Sequence, residues 1–322
     1  MNCPFVFLMM LAFMTTFFAA HAQTYPSKPI RLIVAFPAGG GSDVMARTLT
    51  QKLSERLGQP FIVDNRPGAG GSIGTEVAVK SPADGYTLQL GSTSEVSINR
   101  SLYTKLTYDP LKDLAPVGIV ATTPMVLIVH PSMPATDVKQ LVSIAKSKPG
   151  QIHYGSAGSG STTHLAAELF RSAAEIDIVH VPYKGAPPAL ADLAGGHVQM
   201  MFSTLPAALP LVRSLRLRPL AVTSRRRTDA LQGVPTMIEA GISGYQVDYW
   251  YGLFAPRDTS VQTIGLLNKH LGAALRAEEL AADIRKQGAE PALLTLEQFT
   301  AFLLEDAARW NKAVRISGAT AN

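Results

Sequence analysis

Cysteine and charge are both scarce in this sequence. The only cysteine among the 322 residues is Cys3, which lies in a segment we expect to be removed, so the remaining chain has no thiol for a disulfide or a cysteine-ligated metal. Charged residues make up 16% of the chain, and a formal net charge of +5 is too small for a nucleic-acid-binding arm. The densest basic stretch, residues 213–227, lacks the interleaved aromatics of single-strand binders. It is interpreted as a solvated edge or a docking surface.

A long apolar run is also missing. The apolar residues 5–18 are interrupted by Thr15 and Thr16, and they are too few to predict a membrane span. They lead into Ala20-His21-Ala22, a small-x-small pattern that is typical of signal-peptide cleavage sites. We therefore predict that residues 1–22 are a signal peptide, that the chain is exported to the periplasm, and that cleavage falls near Ala22.

The rest of the chain alternates short apolar runs with helical patterns, which is typical of an α/β protein with mainly parallel sheets. Strands are predicted at residues 30–36, 61–63, 87–90, 125–129, 152–154, 178–181, 198–202 and 219–222. Helices are predicted at residues 44–57, 73–80, 138–146, 164–171 and 188–193. The strands fall into two series, so we predict two lobes.

The chain is expected to cross between the lobes near residues 114–123 and 245–254, which both look extended. Residues 249–251 are aromatic and are predicted to pack at this hinge. The tail is helical, with apolar faces formed by Ile264, Leu267, Leu271 and Leu275 and by Phe299, Leu303, Trp310 and Val314. A tail that returns to the first lobe predicts that residues 23–122 and 250–322 form lobe 1, that residues 123–249 form lobe 2, and that a ligand cleft lies between them.

Two matched glycine- and serine-rich loops each connect a predicted strand to a predicted helix. They comprise residues 37–43 and 155–162. Such a junction aims unpaired backbone N–H groups and the positive end of a helix dipole at one spot, which suits an anion. One such loop in each lobe predicts a clamp around an anionic ligand.

Enzymatic readings of the same loops fit less well. Residues 39–41 lack the third glycine of a dinucleotide-binding fingerprint, and Ser161 stands where a phosphate-binding loop needs lysine. Ser72 lies in the G-x-S-x-G pattern of hydrolases, but residues 64–69 separate it from the preceding strand, so it is interpreted as a helix cap. His164 and Glu168 share a helix face, yet two ligands do not make a metal site. No catalytic set is predicted, and a hydrolase using Ser72 is kept as a minor alternative.

Several short motifs run through the chain in a fixed order. They are Tyr25-Pro26-Ser27-Lys28-Pro29-Ile30, Phe36-Pro37-Ala38-Gly39-Gly40 with Asp43, Asn65-Arg66-Pro67-Gly68-Ala69-Gly70-Gly71, Asp84-Gly85-Tyr86-Thr87-Leu88, His180-Val181-Pro182-Tyr183-Lys184-Gly185 and Trp250-Tyr251-Gly252. Together they resemble the Bug family of extracytoplasmic solute receptors, which serve tripartite tricarboxylate transporters. The resemblance covers residues 25–318. It implies a two-lobed, periplasmic-binding-protein-like fold (type II-like), no catalysis, no cofactor and no metal, and a small organic acid held between the lobes.

The resemblance also implies which residues contact the acid. They are Phe36, Pro37, Ala38, Gly39 and Gly40, then Ser92, Thr93 and Ser94, and in the second lobe Ala157, Gly158, Ser159, Gly160, Ser161, Thr162, His164 and Ser203. Many members carry an aspartate at the position of Ser203, where it could pair with an ammonium group, so Ser203 favours a non-amino carboxylate. The implied partners are integral membrane transporter subunits, and we expect a monomer. A periplasmic sensor for a signalling protein is the alternative, and the identity of the acid stays open.

Overall fold

A computed structural model describes residues 25–103 and 105–319. The predicted signal peptide and its cleavage site lie outside these residues. Within the described part of the chain, none of the helices combines the length and the apolar character that a bilayer span requires.

Ten strands and eleven helices make up the described fold. The strands are β1 (Ile30–Val34), β2 (Phe61–Asn65), β3 (Thr87–Ser92), β4 (Leu114–Val129), β5 (His153–Ser156), β6 (Val179–Pro182), β7 (Met200–Thr204), β8 (Arg218–Val222), β9 (Asp248–Pro256) and β10 (Glu290–Pro291). The helices are α1 (Gly41–Leu57), α2 (Ser72–Val79), α3 (Asn99–Leu102), α4 (Pro110–Asp113), α5 (Val138–Ser147), α6 (Thr162–Ala174), α7 (Ala186–Ala194), α8 (Leu205–Arg213), α9 (Val261–Leu275), α10 (Glu278–Lys286) and α11 (Leu296–Ser317). A π-helical turn, Thr93–Ile98, follows β3.

Two sheets share the long strand β4. The first has the order β2-β1-β3-β9-β4, and the second has the order β4-β7-β5-β6, with β8 also paired to β4. Up to Pro124, β4 pairs with β9, and from Met125 onward it pairs with β7. The strand thus carries the chain from one lobe to the other, and β9 begins at Asp248 on the way back. The lobe limits at residues 123 and 250 stay a prediction.

The sheets are mixed, so the expectation of mainly parallel sheets is wrong. β1 is parallel to β2 and β3, and β5 is parallel to β6 and β7. However, β9 is antiparallel to β3 and β4, and β4 is antiparallel to β7 and β8. The antiparallel pairs arise because the strands that cross between the lobes lie against the parallel strands of each series.

The predicted strands and helices are confirmed, with shifted ends. β4 is longer than predicted because it extends through the crossing segment. Helix α1 begins at Gly41 rather than near Val44, so part of the first glycine loop forms the first helical turn.

The tail helices bury both predicted apolar faces. Ile264, Leu267, Leu271 and Leu275 of α9 pack in the main core, together with Trp310 and Val314 of α11. Phe299 and Leu303 of α11 form a second cluster with Trp250 and Phe254 of β9. Burying such side chains stabilises the fold by about 1.5–3 kcal/mol each relative to exposure. This packing attaches the tail to β9 and fixes the strand on which the two lobes meet.

Candidate functional site

A small chamber lies where the two lobes meet. Its volume is about 30 Å³, which is room for about two water molecules. It is lined by Phe36, Gly40, Gly41, Ser42, Ser94, Ala157, Ser161, Thr163, Ala186, Thr204 and Tyr249. Six of these eleven residues carry a hydroxyl group, and none of the eleven is a lysine or an arginine. We call this space the inner chamber.

A wider space, the outer cleft, shares Phe36 and Ala157 with the inner chamber. Its volume is about 360 Å³. One wall comes from Phe36, Pro37, residues 67–71 and Tyr103, and the other from residues 157–159 and 182–185. These walls are mainly apolar or aromatic, and Lys184 is the only cation among the described residues that line them. A ligand entering from solvent would pass this cleft first.

Helix α1 opens onto the inner chamber through Gly41 and Ser42. Its first backbone bond within the helix is donated by Val44 N to Gly40 O, so the N–H groups of residues 41–43 precede the helical ladder. Its N-cap residue, Gly40, has no side chain to cap those groups. The chamber therefore meets an uncapped helix N-terminus, which favours negative charge.

Asp43 organises the loop before α1. Its Oδ2 accepts hydrogen bonds from Gly39 N at 2.9 Å and from Arg47 Nε at 3.0 Å. Burial alone would raise the pKa of Asp43, but the hydrogen bonds from Arg47 and Gly39 outweigh burial and leave this pKa below its usual value. Asp43 is therefore charged at neutral pH, and its charge is compensated within the loop by Arg47.

At the second loop, side chains of the loop and of the first turn of α6 accept hydrogen bonds from backbone N–H groups. Ser161 caps α6 by accepting a hydrogen bond from His164 N at 3.3 Å, and Thr163 Oγ1 accepts one from Ala157 N at 2.8 Å. Gly160 N donates to His164 Nδ1 at 3.3 Å. Most N–H groups of the two glycine-rich loops are thus already used, because those of Gly39, Gly40, Gly158, Gly160 and Ser161 donate within their own loop–helix junctions. The clamp formed by the two loops stays a prediction.

Direct contacts join the two lobes beside the chamber. Ser94 Oγ lies 2.7 Å from Thr162 Oγ1, and it also accepts a hydrogen bond from Thr162 N at 3.0 Å. Tyr103 Oη donates to Ser159 O at 3.0 Å. Gly185 has φ +119°, and a Cβ there would lie 2.2 Å from Pro37 Cγ, so only glycine allows this approach. The lobes are therefore closed on each other.

Strand β9 forms the floor of the chamber with one of its two faces. Tyr249 lines the chamber, and its hydroxyl lies 2.6 Å from Ser92 Oγ. Trp250 points to the opposite face, where its Nε1 donates to Asp306 Oδ2 at 2.8 Å. The expectation that the three aromatics pack at the hinge is confirmed, since Tyr249 and Tyr251 are buried in the main core and Trp250 in the second cluster. Tyr249 lines the chamber in addition. The period of two in a strand places residues 249 and 251 on one face, and this signal in the sequence could have found Tyr249.

The predicted contact residues fall into two groups. Phe36, Pro37, Gly40, Ser94, Ala157, Gly158, Ser159 and Ser161 line the inner chamber or the outer cleft. The other eight line neither space: Ala38 and Gly39 are exposed, and Ser92, Thr93, Gly160, Thr162, His164 and Ser203 are buried. Ser203 is fully buried and its Oγ donates to Thr204 O at 3.3 Å, whereas the next residue, Thr204, reaches the chamber. Sequence reasoning missed six residues of the inner chamber, which are Gly41, Ser42, Thr163, Ala186, Thr204 and Tyr249.

His164 supports the second loop from behind. Its ring stacks on His180 with centroids 4.0 Å apart, and His180 Nε2 lies 2.6 Å from Ser156 Oγ. Burial lowers the pKa of His164 and lowers that of His180 to about 3, so both rings are neutral at neutral pH. Within the described residues, no group of three potential metal ligands surrounds them.

Ser72 does not have the surroundings of a nucleophile. Its Oγ donates to Ala69 O at 2.8 Å, so its proton is directed to a backbone carbonyl. The residue that caps α2 is Gly71, which corrects the prediction that Ser72 does so. This geometry supports neither a role of Ser72 as a hydrolase nucleophile nor its role as the N-cap of α2.

The chain forms two closed lobes with a chamber between them, and the strands β4 and β9 connect the lobes. This arrangement defines a periplasmic-binding-protein-like fold. The family model described as "Tripartite tricarboxylate transporter family receptor" matches residues 45–318. The chain belongs to this family, and therefore to a family of solute-binding receptors.

Known relatives agree with this assignment. The protein BugT of Bordetella pertussis is 40% identical over 299 residues, which covers 92% of each chain. Among solved structures, Rpa4515 of R. palustris with adipate has a TM-score of 0.90 at 38% identity, covering 92% of this chain and 99% of its own. MatC from Rhodopseudomonas palustris with bound malate has a TM-score of 0.86 at 29% identity, covering 90% of this chain and 100% of its own.

Proposed function

We propose that this chain is an exported receptor that captures a small carboxylate between its lobes and delivers it to the membrane subunits of a tripartite tricarboxylate transporter. The observation that carries the proposal is the inner chamber, where hydroxyl groups from both lobes converge beside the uncapped N-terminus of α1. The structures of relatives with adipate and malate support an acid as the ligand class.

The proposed contacts are the groups that face the chamber. In the first lobe they are Ser42 and Ser94, with the N–H groups of residues 41–43, and in the second lobe they are Ser161, Thr163 and Thr204. Hydrogen bonds to a charged group contribute about 1.5–3 kcal/mol each. Three or four of them are enough for roughly micromolar affinity after the cost of association, and no arginine is needed.

Binding must involve movement of the lobes. The chamber has a volume of about 30 Å³, which is too small for a dicarboxylic acid. The contacts between Ser94 and Thr162 and between Tyr103 and Ser159 therefore have to break before the acid is admitted. Hinge motion about β4 and β9 explains how a closed chamber fills and empties.

Binding without turnover fits the lining of the chamber. It consists of glycine, alanine, serine and threonine with two aromatic residues, and it brings together no nucleophile, base and orienting acid. We propose that the acid is released unchanged. Export to the periplasm, cleavage near Ala22 and a monomeric state belong to the same proposal. Protein recovered from the periplasm should have the intact mass of a chain that begins at Gln23.

A thermal-shift screen tests the proposal directly. The mature protein is heated with succinate, malate, adipate, citrate and benzoate, and with the matching neutral amides as controls. A ligand that binds only the folded state raises the melting temperature, by linkage. We expect at least one acid to do so and its amide to have no effect. If no acid in the panel shifts the melting temperature, or if the amides shift it equally, the carboxylate proposal is wrong.

A further inference from the structure

A line of three buried groups leads from the inner chamber to a carboxyl group. Tyr249 Oη donates to Ser92 Oγ at 2.6 Å, and Ser92 Oγ donates to Glu95 Oε2 at 2.6 Å. Glu95 is fully buried in the π-helical turn Thr93–Ile98. Among the described residues no lysine, arginine or histidine forms an ion pair with it, and its Oε1 has no hydrogen-bond partner. Only the tyrosine end of this line touches the chamber.

The charge of Glu95 decides which way the hydrogens point along this line. An ionised Glu95 can only accept, so Ser92 donates to it, Tyr249 donates to Ser92, and the tyrosine presents only lone pairs to the chamber. A protonated Glu95 can also donate, so both hydrogen bonds of the line can then reverse and run from Glu95 to Ser92 and from Ser92 to Tyr249. The O–H of Tyr249 is then available to donate a hydrogen bond into the chamber. A ligand carboxylate needs the second arrangement, because it accepts hydrogen bonds and cannot donate them.

We propose that Tyr249 binds the acid through its hydroxyl and that Glu95 is a positioning residue, which holds the proton that makes this hydroxyl a donor. The inference rests on the proposed function, because it takes an acid in the inner chamber as the ligand. It adds a coupling between binding and protonation, because capture of the acid requires a proton on Glu95, which does not contact the acid.

The surroundings of Glu95 keep it neutral. Burial raises the pKa of Glu95 to about 8, and the hydrogen bond from Ser92 offsets this only in part. Three phenols lie close enough to interact with Glu95, namely Tyr108, Tyr249 and Tyr251, and burial raises the pKa of each.

The elements packed against the π-helical turn carry further ionisable groups, which are Arg100 on α3, Lys112 and Asp113 on α4, His164, Glu168 and Arg171 on α6, Asp248 on β9, and Glu297, Glu305, Asp306, Arg309, Lys312 and Arg315 on α11. Burial lowers the pKa of His164, so its ring is uncharged. Among the others, Arg100 is paired with Asp109, Glu168 with Arg171 and Asp306 with Arg309.

The coupling has a definite sign. Below pH 8 most molecules carry the proton and bind the acid, whereas above pH 8 the protonated fraction falls. The apparent affinity should therefore weaken about tenfold between pH 7 and pH 9, in proportion to the competent fraction. By the same linkage, binding at pH 8 to 9 should take up a proton from the buffer.

Calorimetry across pH with succinate and adipate as probes tests this. In Glu95→Gln the amide N–H replaces the acid O–H as donor to Ser92, so we expect affinity near that of the wild type at pH 7 and no weakening up to pH 9. Tyr249→Phe should lose about fivefold or more at pH 7 and also lose the pH dependence. Glu305→Gln, an exposed glutamate on α11, is the matched control and should keep the wild-type pH profile.

A second measurement does not depend on binding. The Raman doublet of tyrosine reports whether a phenol donates or accepts a hydrogen bond, and the wild type should show a change near pH 8 that Glu95→Gln, Ser92→Ala and Tyr249→Phe each lack. A wild-type pH profile that persists in Glu95→Gln overturns the inference. If no acid of the thermal-shift panel binds the wild type at any pH, the proposed ligand class fails, and the Raman titration alone decides whether the hydrogen-bonded line responds to pH.

Discussion

The two loop–helix junctions look alike in sequence and differ in their chemistry. At the first, Gly40 leaves α1 without a side-chain cap, and Asp43, bound to Gly39 N, is the only side chain in the described part of the chain that binds the backbone of residues 37–43. At the second, Ser161, Thr163 and His164 each bind a backbone N–H of their own junction. The first helix end remains open toward the chamber, whereas the second is closed by its own side chains.

This difference assigns separate roles to the two lobes. The open end of α1 offers backbone donors and a helix dipole, which suit the negative end of a ligand. The second junction offers hydroxyl groups on a rigid loop that presses against Ser94. A symmetric clamp of two equal anion sites does not describe this geometry. The first lobe is suited to attract the acid, and the second is suited to close over it.

The largest effect is expected from Gly41→Ala, which tests whether the open end of α1 must meet the second lobe. A Cβ at Gly41 would lie 2.3 Å from Thr204 Oγ1 of the second lobe, so closure should cost about 3 kcal/mol. Its 2.9 Å approach to Tyr251 Oη lies within the first lobe and should require only a small shift of that side-chain end. Calorimetry should show about a hundredfold loss of acid affinity.

Gly40→Ala is the control for that change. Its Cβ would lie 3.2 Å from Pro37 O and 3.8 Å from Pro187 Cδ, a milder approach that should weaken binding far less. Both variants should keep the circular dichroism of the wild type, because the lobes can fold without closing. Equal affinity in the two variants would show that Gly41 and Thr204 do not have to meet.

A smaller effect is expected from Ser94→Ala, which acts on the contact between the two junctions. It removes a proposed contact of the acid together with two hydrogen bonds to Thr162, which exist only when the lobes are closed and should form again once the acid is bound. The expected cost is about 1–2 kcal/mol, with about a tenfold loss of affinity. Small-angle scattering should show a shift toward a more open form.

Ser97→Ala is the matched control for Ser94→Ala. It lies in the same π-helical turn, but its buried Oγ has no hydrogen-bond partner. Its removal should leave both affinity and scattering unchanged. If Ser97→Ala opened the protein as Ser94→Ala does, the effect would come from the turn as a whole rather than from the contact with Thr162.

The smallest effect is expected from Ser161→Ala, which removes the cap of α6. Loss of an N-cap side chain should cost about 1 kcal/mol of stability, and acid affinity should fall a few fold because the second loop loses its support. Thr295→Ala removes the capping box of α11, away from the chamber. Thermal denaturation should show similar losses in both variants, whereas calorimetry should show weaker binding only in Ser161→Ala. Weaker binding in Thr295→Ala would show that the loss of affinity follows from lower stability and not from the second loop.

Local patterns predicted most of the fold. The apolar faces of α9 and α11 and the strands of both series were readable because burial follows periods of 3.6 and 2 along the chain. The site was predicted less completely. Five residues of the chamber lining were foreseen, namely Phe36, Gly40, Ser94, Ala157 and Ser161, each of them in or beside a loop motif. Tyr249 and Thr204 lie on strands, and no motif distinguished them from their sequence neighbours Trp250 and Ser203.

By itself the sequence determined the two series of strands and helices, the helical tail and the two glycine-rich junctions, because each depends on contacts between residues close along the chain. Only the tertiary structure decided which backbone donors are already used, which face of β9 forms the chamber floor, and that Glu95 is buried behind Tyr249. These properties depend on groups far apart in the chain, such as Ser92 and Tyr249 or Gly41 and Thr204, which meet only when both lobes have folded and closed.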